Sequence, residues 1–404
     1  MRRLAPLAVL LAAALLAGCG GGSEKEGRTL VIAVDAPFSS DPYIANTIAN
    51  GVRLSAADLG VQRGDVVNFK VVTYDNAGSP SRAVANYRRA VAQHAVAIVT
   101  DGTGVDAGWK IAAQADIPIG IVYDGDEQLV DPKARPNVFR IAPTNHGLAF
   151  RLAEHLIPKG LKIALLTDDT GYGRAGRYSL DRAFSENPGS VAARVQIPAS
   201  ATDLAPQVLQ ARRAGATALL VWGEPAAIAE TVLAARGAGW DVPIYAPPAA
   251  EDPLVRQELA DKPEWLDGLT FASGRLTAEA GVGPFLEFRT NYENRFGAQK
   301  VGVKAADGTP VVQPPEFAMY AFDFTNVLAA AVDEAKGGDG AKVLRALGQV
   351  STKGANGDFR GFNEASHEGV VDDDVYFARF SGMIFKPVTD DALSKTLPSI
   401  LQEP

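Results

Sequence analysis

The residues of this chain best suited to chemistry lie in short polar stretches, each following an apolar run and each mixing small residues with acids or aromatics. Thr100-Asp101-Gly102-Thr103-Gly104 follows Val96–Val99, and Tyr123-Asp124-Gly125-Asp126 follows Ile119–Val122. Asp168-Asp169-Thr170-Gly171-Tyr172-Gly173 follows a run from Ile163, and Trp222-Gly223-Glu224 follows Ala218–Val221. Ligands of open parallel sheets bind beyond the carboxyl ends of the strands, where helix N-termini aim unpaired N–H groups. Gly102 and Gly104 permit close backbone approach, Thr103 offers a hydroxyl, and a following helix would favour an anion such as a carboxylate; the same residues also describe a tight strand-to-helix turn. Asp124 and its neighbours suit an ammonium or hydroxyls, or else a solvated loop. Tyr172 has a ring to lay over a ligand, Glu224 adds an acid, and Trp222 either faces that ligand or packs in the core.

Signs of catalysis are sparse. Gly171-x-Gly173-x-x-Gly176 and Gly102-x-Gly104 with Asp124 match dinucleotide fingerprints only loosely. No Gly-x-Ser-x-Gly elbow is present, and His94, His146, His155 and His367 lack metal-ligand spacing. The reading is of a binding protein rather than an enzyme, with no cofactor and no metal.

The one cysteine, Cys19, follows Arg2-Arg3, an apolar run over Leu7–Leu16, and Ala17-Gly18. That run is too short to cross roughly 30 Å of hydrocarbon and has the form of a secretory signal over residues 1–18. Leu16-Ala17-Gly18-Cys19 is similar to a bacterial lipoprotein box, which implies an acylated Cys19, a glycine-rich tether over 19–28, and an extracytoplasmic, membrane-anchored protein on the periplasmic side or the outer cell surface. With its only thiol used in this way, the chain has no disulfide and no cysteine metal site. The balance of 39 basic against 47 acidic residues, net −8, lacks the basic patch that nucleic acid requires.

The loops need a framework, and from Thr29 onward apolar runs alternate with helical patterns. Strands are expected at Leu30–Val34, Phe69–Tyr74 and Ala95–Val99, with helices at Ile44–Leu59 and Ser81–His94 between them. Continuous apolar strands imply a parallel sheet covered on both faces. The pattern occurs twice: Asp116-Ile117-Pro118-Ile119 returns as Asp241-Val242-Pro243-Ile244, which suggests two similar lobes. A long helix is expected from Pro315 to about Lys336, a shorter one over Ala341–Val350, and a final strand over Val375–Phe380.

In this order the segments resemble the type I periplasmic binding proteins, in particular the branched-chain amino acid and amide receptors of ABC importers. The resemblance lies in Tyr74-Asp75-Asn76-Ala77-Gly78-Ser79-Pro80-Ser81-Arg82-Ala83, in Asn137-Val138-Phe139-Arg140-Ile141-Ala142-Pro143, in Thr167–Gly173 and in Gly237–Ile244. It implies an α/β fold of two lobes, each a parallel sheet flanked by helices, joined by three crossovers: 29–143 plus 272–366, and 144–271 plus 367–388, with 389–404 as a tail. It also implies a small polar ligand held by Gly102, Thr103 and Gly104, with Asp124 adjacent, Tyr172 covering it, Trp222 or Glu224 closing from the second lobe, and Tyr43 and Tyr320 at the rim. Partners would be the ligand and the permease subunits. This chain departs from the family at Ala246-Pro247-Pro248-Ala249-Ala250, where amino acid receptors often carry an acid, and at Ala36–Pro42, which lacks the usual glycines; amides and small carboxylates therefore stand beside amino acids as ligands. A regulatory or sensory lipoprotein of the same fold, acting through a protein partner, is the alternative.

Overall fold

The computed structural model describes residues 28–63, 67–273, 283–371 and 375–388. The expected signal, Cys19 with its tether, and the tail from 389 lie outside these residues. The first lobe opens with β1 (Arg28–Ala36), α1 (Pro42–Arg63), β2 (Val67–Asp75), α2 (Pro80–Ala92), β3 (Ala95–Thr100), α3 (Val105–Ala113), β4 (Ile119–Ile121) and β5 (Val138–Arg140). These strands form one parallel sheet in the order β2-β1-β3-β4-β5.

The second lobe repeats the plan with α4 (Asn145–Leu156), β6 (Ile163–Asp168), α5 (Gly171–Ala183), β7 (Val191–Ile197), α6 (Ala205–Arg213), β8 (Ala218–Trp222), α7 (Pro225–Gly237), β9 (Ile244–Ala246), α8 (Pro253–Glu258) and β10 (Leu269–Ser273). Its parallel strands run β7-β6-β8-β9-β10, the first lobe's order over again. The internal repeat of the sequence is thus a repeat of topology.

Each sheet is buried on both faces, which explains the unbroken apolar strands: every residue of β3 and of β6 is buried. One face of the first sheet packs Ala33 and Ile98 with Tyr87 of α2 and Val105 of α3, while the other packs Ile32 and Val34 with α1 and three later helices. Around the second sheet, Leu165 and Leu220 meet α4 and α5, whereas Leu166 and Val221 meet α6, α7 and α8.

After β10 the chain adds α9 (Gly283–Phe296), the hairpin β11 (Gln299–Lys304) and β12 (Pro310–Gln313), α10 (Glu316–Glu334), α11 (Gly340–Leu347), and the short pair β13 (Ser351–Lys353) and β14 (Phe359–Gly361). The last described strands, β15 (Tyr376–Ser381) and β16 (Ile384–Pro387), extend the second sheet, β15 antiparallel to β10 and β16 antiparallel to β15. α9, α10 and α11 join the first lobe's core through Phe285, Phe324 and Val343. Val301 and Val311 of the β11–β12 hairpin pack in the second lobe's core, although the hairpin falls within the stretch expected for the first.

The chain passes between lobes at 141–144, between β10 and α9, on entering and on leaving the β11–β12 hairpin, and before β15. Residues 367–369, expected to open the second lobe's last segment, lie instead along β5. Arg140 N–H donates to the His367 carbonyl at 2.9 Å, and Gly369 N–H donates to the Arg140 carbonyl at 2.7 Å.

Candidate functional site

In both sheets the strand order reverses beside the first strand, and a crevice opens where that happens, at the carboxyl ends of the strands. The two crevices face one another across a cleft of about 660 Å³. The first lobe contributes Ser40 and Asp41 after β1, Asp101 and Thr103 after β3, Tyr123 to Asp126 after β4, and Glu316, Phe317 and Tyr320 at the start of α10. The second contributes Gly171, Tyr172 and Ala175 from α5, Glu224 and Pro225 after β8, and Pro248 and Ala249 after β9.

The loop after β3 is folded around a carboxylate of its own. Thr103 Oγ1 donates to Asp101 Oδ2 at 2.6 Å, and Asn76 Nδ2 and Thr100 Oγ1 donate to Asp101 Oδ1 at 2.9 and 3.2 Å. Beneath it, Asp35 accepts from Asn86 at 2.7 Å and from Asn76 at 3.3 Å. Burial pushes the Asp35 carboxyl up to about 7, the two amide hydrogen bonds pulling against it. Burial likewise raises Asp101, against the pull of Thr103, Asn76 and Thr100.

Gly102 and Gly104 take φ of +118° and +74°. A side chain at Gly102 would run into Asp124 Cβ, and one at Gly104 would lie 2.6 Å from Ala83 Cβ. Their role is loop packing, and neither lines the cleft.

After β4, Asp124 Oδ1 accepts the Asp126 N–H at 2.9 Å. The fully buried Arg140 holds this loop from behind, donating to the carbonyls of Asp124 and Asp126 at 3.0 and 2.7 Å and pairing with Glu368 at 2.6 and 2.8 Å. Burial raises the Asp124 carboxyl even so.

In the second lobe Asp168 organises two loops at once. Its Oδ1 accepts the Thr170 hydroxyl at 2.5 Å, and its Oδ2 accepts the Glu224 N–H at 2.6 Å. Thr170 in turn caps α5 by accepting the Gly173 N–H at 3.1 Å. Glu224 stands at the N-terminus of α7, open to the cleft, its carboxyl raised by burial and then by the charges of Asp168, Asp41 and Asp252.

Of the residues read from the sequence, Thr103, Asp124, Tyr172, Glu224 and Tyr320 line the cleft. Trp222 does not: it is fully buried in the second lobe's core, its ring 5.9 Å from that of Tyr172 and pressed against Gly176. Tyr43 lies one layer back, edge-on to Phe317 with ring centroids 6.5 Å apart. The loose dinucleotide fingerprint is explained in the same way, since side chains at Gly173 and Gly176 would collide with Asp168 and Trp222.

Ser40, Asp41, Asp101, Asn145, Glu316 and Phe317 also line the cleft without having been singled out as ligand residues. Tyr123 and Asp126 line it beside Asp124, in the polar loop that the sequence offered to an ammonium or hydroxyls. Among the described residues, no group of three or more His, Cys, Asp or Glu is placed to hold a metal ion.

Two repeated α/β lobes that share one cleft define the architecture of a bilobal ligand-binding protein. A sequence profile described as Periplasmic binding protein matches residues 29–383, and the chain belongs to that family. Among solved structures, a periplasmic binding protein type 1 from Bordetella pertussis Tohama I superposes with a TM-score of 0.76 at 19% identity, over 89% of this chain and 100% of that one. A leucine binding protein from Thermotoga maritima gives 0.73 at 18% identity, over 89% and 97%. A branched-chain amino acid transporter substrate binding protein from Streptococcus pneumoniae, in complex with isoleucine, also gives 0.73 at 18%, over 89% and 99%. These likenesses establish the type I fold. No curated protein matches the chain.

Proposed function

We propose that this protein is the solute receptor of an ABC importer, anchored outside the cytoplasmic membrane through Cys19, and that it delivers a small polar ligand to the permease by closing its lobes. The observation that carries this reading is the shared cleft: about 660 Å³, lined from both lobes by strand-end loops and helix N-termini. Closure about the connecting segments would bring Tyr172 and Glu224 towards Tyr123 and Asp124 and exclude water from whatever lies between. The solved isoleucine complex, distant as it is in sequence, supports a ligand of this size in such a cleft.

Calorimetry and small-angle scattering against amines, amino acids, amides, polyols and small carboxylates test the reading together. A true ligand should release or absorb heat and reduce the radius of gyration. At 100 times its dissociation constant it should add about 2.7 kcal/mol of stability. A panel with neither heat nor compaction would defeat the proposal, as would recovery from membranes with a cell-wall enzyme or sensor kinase and no permease.

A further inference from the structure

The charge of the cleft is one-sided. Asp41, Asp101, Asp124, Asp126 and Glu316 line it from the first lobe and Glu224 from the second, while no Lys, Arg or His lines it among the described residues. Arg140, the guanidinium behind the acidic loop, is already paired with Glu368.

The donors of the loop after β3, which the sequence offered to a ligand's carboxylate, are also taken. The hydroxyl of Thr103 bonds to the Asp101 side chain, and Asn76 and Thr100 turn to the same group. The protein's own carboxylate is thus satisfied where a bound acid would sit.

Aromatic rings line the rest. Tyr123, Tyr172, Phe317 and Tyr320 face the cleft, and Tyr123 keeps 40% of its surface exposed while meeting Phe317 edge-on at 5.1 Å. Ring faces and carboxylates together attract cations, and low-dielectric walls focus that attraction. The acids are not gathered tightly enough for a metal ion.

We infer that the ligand is an organic cation, an amine or a quaternary ammonium compound with no carboxylate of its own. The inference rests on the solute-receptor reading and narrows it, setting amino acids and small carboxylates aside. Burial holds the carboxyls of Asp41, Asp101, Asp124 and Glu224 above their usual range, a cost that a bound positive charge would offset.

Matched pairs that differ by a carboxylate give the test: isoamylamine against leucine, cadaverine against lysine, choline against glycine betaine, titrated calorimetrically at low and at moderate salt. At least one cation should bind at least tenfold more tightly than its carboxylate-bearing twin, and added salt should weaken it. Asp41→Asn, which keeps the cap on the Ile44 N–H, and Glu224→Gln should each weaken that cation at least tenfold. Asp261→Asn, exposed and outside the cleft, should not. Twins that bind equally, or a carboxylate-bearing member that binds more tightly, would overturn the charge inference and leave the receptor reading standing. Silence from every pair, and from uncharged amides and polyols as well, would overturn the receptor reading and this inference with it.

Discussion

The two lobes share a strand order but support their ligand loops differently. At the end of β1, Asp35 is buried among side-chain amides, close to a second buried acid, Asp101. At the matching end of β6, Asp168 spends its oxygens on Thr170 and on the Glu224 N–H, and Trp222 fills the space behind against Gly176. The first lobe therefore holds its half of the cleft with a pair of buried acids bonded to side-chain amides, their carboxyls raised by burial, the second with backbone contacts and tight aromatic packing. The same topology admits either support, because what the fold fixes is where the strand ends emerge, not which chemistry stiffens the loops between them.

The largest effect should come from breaking the second lobe's support. Trp222→Ala removes a fully buried side chain from the packed face behind the cleft. Urea denaturation should show a loss of about 3–5 kcal/mol, the range for a large aromatic cut out of a core. A loss under about 1 kcal/mol would return Trp222 to the cleft, where the sequence also allowed it.

The first lobe's support should show itself as a pH dependence. The Asp35 carboxyl is raised from 3.8 to about 7, so the native state binds its proton more tightly than the unfolded chain does. Its stabilising contribution is fully present below about pH 3.8 and is lost as the pH climbs through 7. At 1.36 kcal/mol per unit, the span has an upper bound of roughly 4 kcal/mol. Denaturation between pH 4.5 and 7.5 should find a shallower decline in Asp35→Asn than in the wild type. Parallel curves would mean that Asp35 stays ionised throughout, and the contrast between lobes would lose its first half.

Much of this framework was legible in the sequence, and physics marks where it stopped. Strands such as Ala95–Thr100 and Ile163–Asp168 are buried on both faces, so they appear as short apolar runs closed by polar residues. The hairpins β11–β12 and β13–β14 are short and partly exposed, and stretches such as Ser351–Lys353 carry no such run. At the site, Asp124, Tyr172 and Glu224 were found because each follows a strand. Asp41 and Glu316 were not, since they stand at the starts of α1 and α10, far apart in sequence and without a motif, and only the packing of those helices in the first lobe brings them to one cavity. Trp222 also follows a strand, yet whether an aromatic at a strand end points to ligand or to core depends on the residue opposite. Here that residue is Gly176 of α5, which the sequence offered only as part of a loose dinucleotide fingerprint.

Gly176 therefore gives a sharper probe of the aromatic support than of any nucleotide site. Gly176→Ala places a methyl group inside contact distance of the Trp222 ring, and overpacking of this kind costs about 1–3 kcal/mol. Thermal denaturation should register it, and Trp222→Phe in the same chain should recover part of the loss by thinning the ring. Additive losses in the double variant would uncouple the two residues.

The smallest expected difference compares one threonine from each lobe. Thr170 both donates to Asp168 and caps a thirteen-residue helix by accepting the Gly173 N–H, so Thr170→Val should cost about 1 kcal/mol, as lost caps do. Thr103 donates to Asp101, but the helix beyond it is capped at Gly104, whose left-handed backbone needs no side chain. Asp101 keeps Asn76 and Thr100 when that hydroxyl goes, and Thr103→Val should cost less than its counterpart. Equal losses in chemical denaturation would mean that the first lobe leans on its threonine as heavily as the second does. In that case the buried amides of Asn76 and Asn86, rather than Thr103, would be the redundant part of the network.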